Sequence, residues 1–173
     1  LINTCRGEVF ETGPVFRARQ SVIVSGLIID CWENEPALDL DLLALVDYAT
    51  PHVAGYSKDG KANGTTASVR AISRHFGLGI DDWEPAGVEP PPIPLITLDG
   101  SGKTDEQAIA DAVLATYQIA DDDRALRDNP QLFEQLRGDY PVRREFHSHT
   151  IKADGVEGRV LNKLAGLGFK IKQ

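Results

Sequence analysis

Short apolar runs alternate with helical spacings along the first 83 residues. Leu1–Cys5 is an apolar run that stops at the turn signal Arg6-Gly7. Glu11–Gln20 carries a weak helical spacing, with Pro14 tolerable only in a first turn. Ser25–Trp32 is an unbroken β-rich run, the pattern of a strand buried on both faces of a parallel sheet. Asp39–Val46 places Leu at 40, 42, 43 and 45 and predicts a short helix or turn. Tyr48–Val53 predicts another short strand, running into His52. Between Lys58 and Phe76, apolar or small residues at 62, 65, 69, 72, 73 and 76 share one helical face, and Gly77 and Gly79 stop it. Strands and helices alternating through short connections predict a parallel α/β arrangement, a truncated Rossmann-like sheet.

The character changes at Asp81–Pro94, where prolines stand at 85, 90, 91, 92 and 94. Such a stretch is extended and stiff, a linker or an edge crossing. The chain is therefore expected to divide into residues 1–83 and residues 84–173. In the second part Leu95–Leu98 predicts a strand. Asp105–Tyr117 predicts a helix capped by Thr104, with Ile109, Ala112, Val113 and Tyr117 on one face. Ala120–Asn129 reads as an acidic turn followed by polar residues, with Asp121-Asp122-Asp123 as a turn or cap. Gln131–Arg137 predicts a short helix. Arg143–Ile151 alternates and predicts a strand with His147 and His149 on one face. Val156–Leu167 predicts a helix and Phe169–Ile171 a last strand. These elements make a small α+β unit. One face of the 143–151 strand would pack on the 105–117 helix. The other face would meet a second copy of the chain, with Phe146, His147 and His149 as candidates on opposite sides.

Composition narrows the function. The 173 residues are 25% charged and 42% hydrophobic, ordinary for a folded protein, and the length suits one domain or two small ones. The net charge of −8 is spread over both parts, which argues against nucleic-acid binding driven by phosphate contacts. No apolar run approaches the roughly 20 residues of a membrane helix. Cys5 and Cys31 are too few for a disulfide framework or a four-cysteine zinc site, and free thiols suit the cytoplasm. No third ligand accompanies His147 and His149, so no metal is expected. The chain opens on what reads as the end of a buried strand and contains no Met. It is expected to be the C-terminal part of a longer protein.

Three segments carry the candidate chemistry: Asn3-Thr4-Cys5-Arg6-Gly7, Asp30-Cys31-Trp32-Glu33-Asn34-Glu35-Pro36, and Thr50-Pro51-His52-Val53-Ala54-Gly55-Tyr56. Each lies where a predicted strand ends, and ligands of open parallel sheets gather at the carboxyl ends of strands. A His backed by a carboxylate is a general acid–base, and an Arg fork binds a carboxylate. Such a set suits the oxidation of a 2-hydroxy acid by a bound cofactor.

These segments resemble those of the D-2-hydroxyacid dehydrogenase family. The resemblance implies that Arg6 of N-x-x-R-G, Glu35 and His52 of T-P-H are catalytic. Glu35, by its offset from Asp30, takes the partner role in preference to Glu33, which is expected in solvent. The resemblance also implies that NAD is held by Thr4, Cys5, Arg6, Asp30 and Gly55, and that Tyr56 contacts substrate. The run from His52 through Ala54-Gly55-Tyr56 to Asp59-Gly60-Lys61 and Gly64-Thr65-Thr66 is similar to the branch of the family that oxidises 4-phospho-D-erythronate in vitamin B6 biosynthesis. Members of that branch carry an added C-terminal dimerisation domain, which residues 84–173 resemble in pieces (Leu126-Arg127, Leu136-Arg137, Tyr140, Arg143-Arg144-Glu145, Gly168-Phe169). The resemblance thus implies a homodimer. Lys58 and Lys61 are candidates for a phosphate or for a solvated helix start. No G-x-G-x-x-G follows any strand, so the pyrophosphate loop of a dinucleotide site is missing and the chain alone is expected to be inactive.

Overall fold

The computed structural model describes residues 1–172. In chain order the elements are β1 (Ile2–Asn3), α1 (Thr12–Gln20), β2 (Ile28–Ile29), α2 (Leu40–Leu45), β3 (Tyr48–Ala49), α3 (Lys58–Phe76), β4 (Leu95–Asp99), α4 (Asp105–Leu114), α5 (Ile119–Asp128), α6 (Phe133–Gly138), β5 (Thr150–Asp154), α7 (Gly158–Gly166) and β6 (Lys170–Lys172). The fold is α/β, with two three-stranded sheets, both parallel. Contacts cluster into two units. One comprises residues 1–55 and 118–141, the other residues 56–117 and 142–173. Each is built from two stretches of chain, and the proline-rich segment lies inside the second. Among the described residues, no helix is long and apolar enough to cross a membrane.

In the first unit the sheet order is β1-β2-β3. Ile28 stands opposite Ile2 on one side and Tyr48 on the other. Its core joins Leu27, Ile29, Trp32 and Ala49 from the sheet region to Val15, Leu42, Leu43 and Val46 and, from far along the chain, to Leu126 and Phe133. The Asp39 carboxylate accepts from Leu42 N and caps α2.

Residues 120–129 are not an acidic turn, as expected above, but the body of α5. Ile119, Ala120, Ala125 and Leu126 give it an amphipathic spacing, but the run Asp121-Asp122-Asp123 between them reads as a turn. Asp121 and Asp122 in the first turn complement the helix dipole, an Asp123–Arg127 pair spans one turn, and Leu126 is fully buried.

In the second unit the sheet order is β4-β5-β6. Ile96, Ile151 and Ile171 stand in register and meet Ala108, Ala112, Val160 and Leu164 from α4 and α7. Thr104 and Gln107 form a reciprocal capping box on α4, which ends at Leu114 rather than reaching Tyr117. Serine and glycine bound α3: Ser57 caps it through Gly60 N, and Gly77 closes it with φ 64°. Its expected apolar face is not a core, because Ile72 and Phe76 are exposed and only Asp59 and Ser73 are buried.

The strand expected over Arg143–Ile151 is a second correction. Phe146–Ser148 is a 3-10 turn, and β5 begins only at Thr150. Asp59 causes the bend. Its carboxylate takes two hydrogen bonds from the Arg144 guanidinium and one from Glu145 N at 2.7 Å, anchoring the chain just before the turn. The two imidazoles do not share a face. His147 is exposed and reaches Asp59 at 3.2 Å. His149 is buried with Nδ1 2.8 Å from the Ile93 carbonyl.

Candidate active site

The three expected segments do lie at the carboxyl ends of β1, β2 and β3, because all three strands run parallel. After β1, the buried Asn3 amide donates to the carbonyls of Arg6 and Cys31 and accepts from Cys5 N, which closes the loop onto β2. Gly7 is obligatory in this turn, since any Cβ would collide with the Trp32 carbonyl. Thr4, Cys5 and Arg6 are left exposed at the strand end, with the Arg6 guanidinium folded over the Cys5 carbonyl at 2.7 Å.

Asp30, at the end of β2, faces inward. Its buried carboxylate accepts from Thr50 Oγ1 at 2.6 Å, Val53 N at 2.7 Å and Ala54 N at 3.1 Å. Its own carbonyl accepts from His52 N at 2.8 Å. Trp32 donates its indole N–H to the Thr50 carbonyl at 3.0 Å. The loop after β3 is therefore gripped on four of its five residues. That grip holds His52 at φ 55°, left-handed backbone that a non-glycine residue adopts only when its surroundings enforce it.

The enforced turn brings the His52 ring to Glu35, with Nδ1 and Oε1 2.5 Å apart and side chains 21% and 23% exposed. Glu35 is fixed in turn by Trp32 N, which donates to its other oxygen at 3.1 Å. Arg6 and Glu35 line one cleft of about 370 Å³, together with Glu8, Glu11, Glu33 and Asn34. Glu33, expected in solvent, accepts from Thr12 N at 2.7 Å, and this hydrogen bond holds its carboxyl below the usual range. It caps α1, which leaves Glu35 as the carboxylate partnering His52. Burial, then the negative charges of Asp30 and Glu35, pushes the Cys31 thiol up to about 12. Cys31 is therefore a packing residue, and only Cys5 is an exposed thiol. Gly55 is exposed beyond the loop. Tyr56 belongs to the second unit, where Lys61 Nζ lies 3.9 Å over its ring. No group of three His, Cys, Asp or Glu that could hold a metal occurs among the described residues.

Comparison with known proteins bears on this geometry. The chain is 43% identical over 151 residues to the erythronate-4-phosphate dehydrogenase of Porphyromonas gingivalis, a match covering 87% of this chain and 40% of the relative. The protein of that name from Bacteroides fragilis is 44% identical over the same coverage. That of Marinobacter nauticus is 36% identical over 180 residues, 99% of this chain and 47% of the relative. The chain is related to the erythronate-4-phosphate dehydrogenases. It spans less than half the length of these relatives. Residues 89–168 also match a family model described as a domain of unknown function (DUF3410).

With that relationship in place, the structural helpers that sequence reading passed over become intelligible. Asn3 and Thr50 are the polar residues of N-x-x-R-G and T-P-H, and their side chains hold the two loops that present Arg6 and His52. Their place inside the motifs was the available signal. Asp59 and Arg144 build a network elsewhere, in the second unit, and nothing local in the sequence pairs them.

Proposed function

We propose that this chain supplies the acid–base half of an NAD-dependent dehydrogenase that oxidises the 2-hydroxyl of 4-phospho-D-erythronate to a 2-oxo acid, a cytoplasmic step toward vitamin B6. The observation that carries this reading is the Glu35–His52 pair, held by a strained turn at the carboxyl end of a parallel sheet. With Glu35 ionised, His52 Nδ1 carries a proton and donates it to Oε1, which leaves Nε2 as the basic nitrogen. Nε2 takes the hydroxyl proton as the C2–O bond becomes a carbonyl. Arg6, which lines the same cleft as Glu35, binds the carboxylate in two-point fashion.

The exposed strand-end residues Thr4, Cys5, Arg6 and Gly55 fit the nicotinamide end of NAD. Asp30 serves the same end by holding the loop that carries Gly55, since its oxygens are already engaged by Thr50, Val53 and Ala54. Bound NAD supplies the hydride acceptor. No glycine-rich phosphate loop occurs in this chain, so the 173 residues alone retain no dinucleotide. Tyr56, beneath Lys61, is the candidate substrate contact of the second unit.

In the whole enzyme, His52→Ala should lower turnover by roughly 10²–10⁴-fold while NAD affinity is kept. Turnover within about tenfold of the unmodified enzyme would refute the assignment.

A specific observation favours a second role for residues 84–173, pairing with another copy of the chain. The edge strand β6 is three residues long and carries Lys170 and Lys172, which discourage pairing. The opposite edge, β4, is five residues long and uncharged until Asp99. Antiparallel pairing of two β4 edges about Thr97 sets each Asp99 against a Leu95 and keeps the two carboxylates apart.

A further inference from the structure

The outer edge of β3 is the weak point of the site. β3 is the last strand in the order β1-β2-β3, it is two residues long, and three residues beyond it stands His52. An edge strand leaves one row of backbone groups unpaired, and Ala49 is fully buried, so its N–H needs an acceptor from elsewhere. The acceptor comes from 74 residues away, where Asp123 Oδ1 takes Ala49 N at 2.7 Å. Arg127, one turn further along α5, donates Nε to both Asp123 oxygens at 2.9 Å. Its other nitrogens donate to the carbonyls of Leu43 at 2.7 Å and Val46 at 2.9 Å, the end of α2 and the residue after it. These are carbonyls a helix end leaves without partners. One ion pair thus ties down both the helix that enters β3 and the strand itself. Leu126 of the same helix, with Phe133 just beyond it, is fully buried in the core that holds Ile29, Trp32 and Ala49.

We propose that Asp123 and Arg127 are positioning residues for His52. The Asp30 carboxylate grips the His52 turn from the sheet side. The Asp123–Arg127 pair fixes the opposite edge of the strand feeding that turn. A strained residue persists only where its surroundings over-determine it, and φ 55° at His52 requires both anchors. The segment 118–141 is therefore part of the catalytic unit, although it lies beyond the proline-rich stretch and α4 in the chain. The inference rests on His52 as the acid–base group for its kinetic consequence and on geometry alone for its structural one.

Two measurements test it. In this chain, the proton on His52 Nδ1, hydrogen-bonded to Glu35, should give a far-downfield NMR resonance. Asp123→Ala should broaden or abolish that resonance. Asp123→Asn, which keeps an acceptor for Ala49 N, should restore it. In the whole enzyme, Asp123→Ala should lower kcat by about a hundredfold, the order expected for a misplacement near 1 Å, with KM changed by less than about threefold. Asp123→Asn should recover kcat to within about fivefold. Arg127→Lys, which keeps the charge but not the fork, should fall between them. If Asp123→Ala unfolds the first unit, the comparison of Asp123→Asn and Arg127→Lys with the unmodified protein decides. An unchanged Nδ1 resonance in a folded Asp123→Ala or Arg127→Lys chain overturns the proposal. An altered resonance with unchanged kcat overturns its kinetic part. If His52→Ala itself leaves turnover intact, the functional reading fails while the resonance still reports on the brace.

Discussion

Removing the Asp30 carboxylate isolates what holds the His52 turn. In Asp30→Ala, the Thr50 hydroxyl and Val53 N–H, both in buried residues, lose the acceptor that this carboxylate provides. An orphaned buried donor costs about 1–3 kcal/mol, more where the lost bond was to a charge. The exposed Ala54 N–H turns to solvent at little cost. Losing a buried charge returns part of its desolvation, so a net loss of about 3 kcal/mol is expected. Asp30→Asn keeps one carbonyl oxygen for Thr50 and Val53 and should lose about 1 kcal/mol. The assay is urea unfolding followed by Trp32 fluorescence in a Trp83→Phe background. Trp32 is buried and donates to the Thr50 carbonyl, so it reports on this loop. At roughly 1–3 kcal/mol per M of urea, the midpoint of Asp30→Ala should fall by about 1–3 M, and that of Asp30→Asn by about a third as much. If the two variants have the same midpoint, or Asp30→Ala shifts it by less than about 0.3 M, the carboxylate is not what fixes the turn.

Two further outcomes follow from the charge environments. Burial raises the Asp59 carboxyl, but hydrogen bonds from Arg144 and Glu145 N and the charges of Arg144 and His147 outweigh it and hold the group at about 2, against 3.8 ordinarily. The folded value lies below the unfolded one, so the contribution, on the order of 2 kcal/mol, is complete above about pH 4 and is lost as pH falls toward 2. Acid unfolding of the second unit should show this limb and Asp59→Asn should lack it; identical acid limbs in the two proteins would contradict the assignment. With Cys31 buried and its thiol near 12, a disulfide reagent at pH 8 should titrate one thiol at once, Cys5, and the second only on unfolding. Two fast thiols would show that the loop after β2 opens readily.

Much of this protein is legible in local sequence because the forces involved are local. Ser57 and Gly77 bound α3 as the spacing and glycines imply, and Thr104 caps α4, since caps act within three or four residues. The motifs around Arg6, Glu35 and His52 announce a site at strand ends because the parallel α/β pattern leaves one edge for them.

Other features are settled only by partners far away in the chain. Helix α5 looks like an acidic turn until Leu126 enters the core of the first unit and Asp123 meets Ala49. The alternation over Arg143–Ile151 suggests a strand until Asp59 anchors Glu145 and the chain coils at Phe146–Ser148. Glu33 and Glu35 are alike in sequence, and Thr12 decides between them by claiming the first as a helix cap. In each case a buried backbone N–H demands an acceptor, or a carboxylate demands donors, and which group answers depends on what tertiary packing brings within 3 Å. Sequence determined most of the elements and the chemical types at the candidate site, while tertiary structure decided the form of α5 and of residues 143–149, which carboxylate faces His52 and what holds the strand beneath it.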